Sequence, residues 1–353
     1  MKRILLKLVV CSLVTVLPAA TWAQVNFKFI KSPVPTWFNL ALSGNGRVMA
    51  ANYGGEIFRW SATGGFVDLG QGDELNSSIG ISKNGSAIIS GRLGQDGNTN
   101  PGLWTKSSGW LDLGHPKNGC TMDGSWGSGY GLNRNGTVAV GLAWYCPGAE
   151  GFKWTQRAGM LSLGHPAGAS SRASAISADG STIVGFAEDP AQGFRRPVIW
   201  SDGHVDFFAG RHMLGEATAV SSDGKFVAGQ ADDGSGVAHA FIHTQTEGMV
   251  SIGTLSGNDF DQSIANGVSD CGVVIGWSGD PFNGGINAFV WDSKHGIRSL
   301  RKVLQHMGAK IRSNVFITDA LSISADGSTM VGTWQDSNFN QGAWMARFAK
   351  PLN

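Results

Sequence analysis

Acidic and aromatic side chains that could hold a ligand lie in the predicted loops of this 353-residue chain, outside its repeating pattern. The set is Trp126, Trp144, Tyr145, Trp277, Trp334, Asp189, Asp233, Asp280 and Asp336. Flat aromatic rings with nearby carboxylates suit a sugar or a cationic ligand better than an anion, because the rings and the acids both repel negative charge. Trp144 and Tyr145 are the predicted stacking platform. Two loop carboxylates about 5 to 10 Å apart would instead suit a carbohydrate-active hydrolase or lyase.

The remaining residue types give no pattern for other chemistry. His239 and His243 are four residues apart on a predicted strand, which puts both on one face. Neither Cys-x-x-Cys nor His-Glu-x-x-His occurs, and one acid beside each turn glycine is too few for a calcium loop. Neither a Gly-x-Ser-x-Gly elbow nor a Gly-rich phosphate loop leading into a helix is present. We therefore expect no metal, no cofactor and no catalytic serine.

The elements that position these residues are seven copies of one hairpin. Residues 176–185, Ile-Ser-Ala-Asp-Gly-Ser-Thr-Ile-Val-Gly, recur almost unchanged at 323–332. An apolar segment, an Asp-Gly or Asn-Gly pair and a β-branched segment predict a tight hairpin with a type I′ turn. The turn glycines are Gly46, Gly85, Gly136, Gly180, Gly224, Gly272 and Gly327. Their spacings, 39 to 55 residues, fit one four-stranded propeller blade each.

Each repeat also has a third strand that ends in an aromatic residue. The series is Trp60, Trp104, Trp154, Trp200, His243, Trp291 and Trp344. Such an array could stack sugars, but its regularity favours packing between blades. The repeats lie near residues 38–70, 78–114, 128–164, 172–208, 216–253, 264–300 and 319–348. They predict an all-β fold, a seven-bladed β-propeller of four-stranded blades.

The two ends of the repeat array complement each other. The last repeat stops without a fourth strand, while Val25–Ile30 alternates apolar and polar residues as a half-buried strand does. We therefore expect this N-terminal strand to close the last blade, which leaves no long sheet edge exposed. One segment reads as a helix: Leu300, Val303, Leu304 and Met307 have helical spacing, and a glycine follows.

In such a blade, the loop between the second and third strands emerges on the same face as the connection to the next blade. That face carries the acidic and aromatic set and is the predicted ligand face. The alternative is that these loops are simply polar and that their Trp side chains cover the blade tops.

Residues 1–23 have the sequence of an export signal. A basic start precedes an apolar run too short to span a bilayer, and small residues then favour cleavage after Ala23. A retained membrane anchor is the alternative. Residues 24–353 would form a single secreted or periplasmic domain with no further membrane span. Its 24 basic and 26 acidic residues, a net charge of −2, argue against nucleic acid or an anionic membrane as partner.

Three cysteines remain after signal cleavage. Outside the cytoplasm two of them would normally pair. Cys120 and Cys146 fall in loops of the third repeat and form the predicted disulfide, whereas Cys271 lies in a hairpin turn of another blade and is the odd thiol.

The repeat resembles the HAF family of probable extracellular repeat proteins, named for a His-Ala-Phe tripeptide. His239-Ala240-Phe241 matches the tripeptide and Ala288-Phe289 echoes it. Ile-Ser-x-Asp-Gly, Val-Gly and Asp-Leu-Gly elements accompany it over nearly the whole mature chain. Only one copy keeps the His, and the first three turns use Asn-Gly. The resemblance implies a secreted repeat protein without an assigned catalytic activity.

Three functions remain open at this point. The first is a non-enzymatic propeller that binds a small molecule, a carbohydrate-like glycan or a protein partner through its loop face. The second is a carbohydrate-active enzyme that uses two loop carboxylates. The third is a structural or assembly module without a small-molecule site. We expect a monomer in each case. A deep central pocket with two close carboxylates would favour the enzyme, and a rim of aromatics would favour binding.

Overall fold

The computed structural model describes residues 24–31, 38–53, 55–72, 78–94, 97–114, 127–144, 148–164, 170–191, 193–201, 204–208, 214–232, 234, 236–282 and 285–352. Within these ranges the chain forms seven four-stranded antiparallel sheets. The first strand of each sheet packs against the first strands of the two neighbouring sheets, and this circle closes between the last sheet and the first. The protein is therefore a seven-bladed β-propeller, as predicted.

The strands are numbered in chain order and each blade is given from its inner to its outer strand. Blades 1 and 2 comprise β2 (Phe38–Leu42), β3 (Val48–Tyr53), β4 (Glu56–Ser61), β5 (Gly65–Gln71) and β6 (Ile79–Ile81), β7 (Ala87–Leu93), β8 (Thr99–Thr105), β9 (Gly109–Asp112). Blades 3 and 4 comprise β10 (Gly127–Leu132), β11 (Val138–Trp144), β12 (Ala149–Thr155), β13 (Gly159–Ser162) and β14 (Ser171–Ile176), β15 (Ile183–Asp189), β16 (Phe194–Ser201), β17 (His204–Phe207). Blades 5 and 6 comprise β18 (Gly215–Val220), β19 (Val227–Asp232), β20 (Ala238–Thr244), β21 (Gly248–Gly253) and β22 (Gln262–Val268), β23 (Val274–Asp280), β24 (Gly285–Asp292), β25 (Gly296–Ser299).

Blade 7 is built from both ends of the chain. It comprises β26 (Val315–Ile323), β27 (Thr329–Asp336), β28 (Gln341–Phe348) and β1 (Val25–Ile30). Strand β1 runs antiparallel to β28, from Val25 opposite Phe348 to Ile30 opposite Ala343. Phe27 stacks on Trp344, with ring centroids 6.2 Å apart. The predicted closure by the N-terminal strand is thus confirmed.

The repeated aromatic position packs one blade against the next. Trp200 of blade 4 is buried beside Val140 of blade 3, and Trp60 of blade 1 beside Val331 of blade 7. At the equivalent place in blade 5, His243 stacks on Phe208 with a centroid distance of 4.2 Å. Burial lowers the pKa of His243, which keeps this ring neutral and apolar. The series is structural, as its regularity indicated.

The single helix of the described chain, α1 (Leu300–His306), lies between blades 6 and 7. Leu300 and Leu304 are fully buried in a cluster that includes Val290 of blade 6 and Ile317 of blade 7. This confirms the helix predicted from the spacing of the apolar residues. Arg301 donates to the carbonyl oxygens of Arg312 and Ser313 and so ties the helix to the segment leading into β26.

Candidate functional site

The turns between the first and second strands of the blades define one face of the propeller, the turn face. In blade 4, Ser177 Oγ donates to Asp179 Oδ1 over 2.6 Å, and Asp179 Oδ1 accepts the Ser181 N–H over 3.0 Å. The Thr182 N–H donates back to Ser177 Oγ over 3.0 Å. The hydrogen bonds from Ser177 and Ser181 lower the pKa of Asp179. The turn acids therefore serve the turn itself, as the sequence indicated.

The predicted type I′ geometry is wrong. Type I′ requires positive φ at both central residues. Among the described non-glycine residues only Phe339 has a positive φ, so Asp179 does not. Gly180 alone enters the left-handed region, at φ 82°, and its N–H donates to the Ser177 carbonyl over 3.1 Å. The side chains of Ser177 and Asp179 satisfy the amides of a wider loop, which removes the need for the tighter turn.

Neighbouring turns are hydrogen-bonded to each other around the whole turn face. Six of the seven links join a backbone N–H to a backbone carbonyl: Asn45 to Lys83, Asn84 to Arg134, Arg134 to Ala178, Ala178 to Ser222, Asp270 to Ala325 and Ala325 to Gly44. The seventh link runs from the Asp223 N–H to Asp270 Oδ1 over 3.3 Å. This turn ring fixes the inner ends of all blades relative to one another.

The opposite face, the loop face, carries the loops between second and third strands and the connections between blades. Of the acids predicted to bind a ligand there, Asp189 is buried and paired with Arg196 at 2.6 Å. Asp280 Oδ1 accepts the Phe282 N–H over 2.8 Å. Asp336 Oδ1 accepts the N–H groups of Asn338 and Asn340, and its Oδ2 accepts the Asn340 side-chain amide. These carboxylates therefore shape their own loops.

The predicted aromatics are spread around the ring rather than gathered. Trp144 ends β11 on blade 3 and is 45% exposed. Trp277 lies inside β23, opposite Ile264 and Ala288, so it is a half-buried strand residue instead of a loop residue. Trp334 lies inside β27, packs edge-on against Phe29 at 5.2 Å and donates its indole N–H to the Ala343 carbonyl.

Five further predicted residues lie outside the described part of the chain. They are Trp126, Tyr145, Asp233, Cys120 and Cys146. The disulfide and the platform formed with Tyr145 stay predictions. Cys271 lies in the blade 6 turn, where it is exposed.

Exposed phenylalanines, which sequence reasoning missed, dominate the loop face on blades 6 and 7. Phe260, Phe282 and Phe339 are 84%, 86% and 80% exposed. The Phe260 N–H donates to Asn258 Oδ1 over 3.1 Å, just as the Phe282 N–H donates to Asp280. Phe339 has a φ of 63°, an uncommon and strained conformation for a bulky residue, inside the loop that Asp336 caps.

The distribution of exposed apolar side chains separates the two faces. In the described part of the chain, the large exposed apolar residues at loop-face ends are Leu93, Trp144, Leu214, Phe260, Phe282, Phe316 and Phe339. The others, Val67, Leu111, Leu161 and Val250, lie on outer strands. The turn face has none among the described residues. Apolar surface thus concentrates where the connecting loops lie.

The central channel contains a cavity of about 330 Å³ lined by the first strands of all seven blades. In blades 3 to 7 each first strand has a β-bulge at the same place. In blades 3 to 6 the extra residue of the bulge is polar and lines the cavity: Tyr130, Ser174, Thr218 and Asn266. The corresponding positions of blades 7, 1 and 2 are Leu321, Leu40 and Ile79, which line the same cavity. At this level the wall is therefore polar on blades 3 to 6 and apolar on blades 7, 1 and 2.

Charged side chains in the channel are paired or buried. Arg172 Nη2 donates to both carboxylate oxygens of Glu216, at 2.6 and 2.5 Å. Its guanidinium also stacks over the rings of Tyr130, at 4.9 Å, and Phe186, at 5.1 Å. Burial disfavours the charge of Arg172, but Glu216 outweighs it and raises the pKa.

Between blades 6 and 7 a buried acid is hydrogen-bonded to Asn266 of the channel wall. Asp319 Oδ1 accepts the Asn266 amide over 2.7 Å, and burial raises the pKa of Asp319 to about 7. At the turn face, Lys83 lines the cavity, where burial lowers its pKa and Asp270 partly opposes this.

Two further observations bear on the function. No group of three or more His, Cys, Asp or Glu side chains arranged to hold a metal ion occurs among the described residues. The helical part of the described chain includes no segment with the length and hydropathy needed to cross a membrane.

No protein-family model matches the chain, and no curated protein is similar to it in sequence. Solved propellers are similar in fold. The β-propeller domain of the Trilobed protease from Pyrococcus furiosus is 13% identical over 94% of this chain and 99% of that one, with a TM-score of 0.56. An oligogalacturonate lyase from Vibrio parahaemolyticus is 12% identical over 92% and 97%, with a TM-score of 0.55.

TolB from Acinetobacter baumannii is also similar, at 12% identity and a TM-score of 0.46, over 67% of this chain and 64% of its own length. This chain thus spans less than two thirds of that relative. At these identities the likeness shows the fold alone.

Proposed function

We propose that this protein is a non-enzymatic binding module that docks a protein partner on its loop face. The observation that carries the proposal is the high exposure of Phe260, Phe282 and Phe339 on the loop face. Exposed aromatics that cluster on one face are typical of interaction surfaces. Their loops are held by Asx hydrogen bonds, so little conformational entropy is lost on docking.

The alternatives have less support from the site. An enzyme using loop carboxylates needs them free, whereas Asp189, Asp280 and Asp336 accept hydrogen bonds from their own loops. A carbohydrate-like ligand on the loop face is supported by the exposed ring of Trp144, which the blade does not bury. The HAF-like repeat, which implies no catalytic activity, agrees with a binding role. The export-signal pattern of residues 1–23 supports a location outside the cytoplasm, in the periplasm or secreted, for this proposed function.

The test is to select binders from a random-peptide phage library on the mature protein. Selected peptides are then measured on the double variant Phe282→Ser with Phe339→Ser. We expect binding to weaken at least about tenfold, because buried aromatic anchors carry most of an interface's affinity. The matched control removes two exposed apolar side chains of outer strands, Val67→Ser with Leu161→Ser, and should bind as the wild type does.

Two results would contradict the proposal. Peptides that bind the double Phe variant as tightly as the wild type would place the docking surface elsewhere. Glycan-array binding that Trp144→Ala abolishes, without any peptide binding to the Phe residues, would assign the loop face to carbohydrate instead.

A further inference from the structure

We propose that the central channel is a second, independent binding site, which takes an uncharged, hydroxyl-rich small molecule such as a sugar ring. Its location is distinct from the loop-face phenylalanines: the walls are the first strands of the blades, at the axis of the ring. The cavity of about 330 Å³ falls at the lower end of the ~300–1000 Å³ that small-molecule sites occupy.

The β-bulges of the first strands point to a ligand site. A bulge costs ladder hydrogen bonds and turns a side chain out of its regular direction, and bulges are frequent beside active sites. Five successive blades, 3 to 7, have one at the same level; in blades 3 to 6 the extra residue is polar, in blade 7 it is Leu321, and all five line the cavity. The first strands of blades 1 and 2 have no such shift, and Leu40 and Ile79 line the cavity there. Packing between the blades does not require polar residues at this position in some blades and apolar residues in the others.

The channel wall has hydrogen-bond acceptors that the described part of the protein does not use. Asn266 commits its amide N–H groups to Asp319 and to the Ala320 carbonyl, so its Oδ1 remains as an acceptor without a partner among the described residues. Thr218 donates its hydroxyl to the Ala265 carbonyl, and Ser174 donates its hydroxyl to Glu216. Their oxygens keep lone pairs. An acceptor-rich wall matches a ligand with several O–H donors.

The charged pair in the channel favours an uncharged ligand. The Arg172–Glu216 pair is neutral as a unit and is pinned by stacking on Tyr130 and Phe186. An anionic ligand would compete with Glu216 for Arg172, and a cationic ligand would compete with Arg172 for Glu216. Either would disturb a pair that is expensive to break when buried. The apolar part of the wall suits the C–H face of a ring.

The experiment measures binding of methyl β-D-glucoside, methyl β-D-galactoside and maltose to the mature wild-type protein by isothermal titration calorimetry and saturation-transfer NMR. Glucuronate and glucosamine serve as anionic and cationic counterparts. We expect at least one uncharged sugar to bind, with both charged counterparts at least about tenfold weaker. Asn266→Leu should weaken binding at least about tenfold, because a hydroxyl then enters the wall without its acceptor.

Because Asn266 also bonds Asp319, a second variant protects the test against misfolding. Ser174→Ala leaves Glu216 its two bonds from Arg172 and removes one acceptor, so it should fold and bind sugar more weakly. Phe282→Ser with Phe339→Ser should bind sugar as the wild type does, which separates this site from the loop-face function. The proposal is overturned if none of the three sugars binds, if a charged counterpart binds more tightly, or if folded Ser174→Ala binds unchanged.

Discussion

Asp319 should make the stability of this propeller fall as the pH rises through the weakly acidic range. Burial raises the pKa of Asp319 in the folded protein to about 7, against an ordinary value of 3.8. Between these values the folded state holds a proton that the unfolded state has released, so the free energy of unfolding decreases with pH. A difference of about three pH units corresponds to at most about 4 kcal/mol, lost progressively between about pH 4 and 7.

The assay is urea unfolding, followed by tryptophan fluorescence, of the wild type and Asp319→Asn between about pH 4 and 8. Asn cannot ionise, yet its carbonyl still accepts the Asn266 amide. We expect the wild type to lose stability relative to Asp319→Asn as the pH rises, by up to about 4 kcal/mol. Asp206→Asn, which removes an exposed carboxylate of β17, is the control and should follow the wild-type profile. Parallel curves for the wild type and Asp319→Asn would refute the reasoning.

Three further outcomes are expected. Deleting residues 24–30 removes the outer strand of blade 7 and should lower the melting temperature or cause aggregation; an unchanged melting temperature would contradict the role of this strand. Ser177→Ala should cost about 1–3 kcal/mol in urea unfolding, because it leaves the Thr182 N–H without its partner and removes one of the hydrogen bonds to the Asp179 carboxylate; a loss below about 0.3 kcal/mol would show that the turn does not need the hydroxyl. Mass spectrometry of the non-reduced mature protein should find a peptide linking Cys120 to Cys146, with a contribution of about 3 kcal/mol in the chain-entropy model; free thiols at both positions would refute the pair.

The fold could be predicted because its information is local. The hydrogen bonds of the blade 4 turn lie between Ser177 and Thr182, so one short stretch encodes the hairpin and its recurrence counts the blades. Trp200 could be predicted as a blade-interface residue for the same reason, because one residue at this position of each repeat packs between neighbouring blades. The turn type was missed because the Ser177 hydroxyl participates, which the Asp-Gly pair alone does not indicate.

The site was less accessible from sequence because it depends on contacts between distant blades. Phe282 carried a usable signal, since Asp280-Pro281 before it is typical of an Asx turn that projects the next residue. The residues that line the channel gave no comparable signal in the sequence. Asn266 and Ser174 line it because bulges shift their strands, and a bulge follows from pairing with the neighbouring strand. Arg172 meets Glu216 because the first strands of blades 4 and 5, 44 residues apart in the sequence, pack side by side.

Because blade 7 is built from both ends of the chain, it determines on which face the protein can be fused to a tether. Val25 and Phe348 are paired neighbours at the turn face, where the Ala349 N–H donates to the Gln24 carbonyl over 3.1 Å. A tether fused at either position would extend from the turn face. The loop face would then point away from a support. A short linker, about 2 to 5 residues, between these two points would allow the chain to be reopened at another blade connection as a circular permutant. In such a permutant the tether extends from the loop face, so the turn face points away from the support. The strands of every blade stay the same.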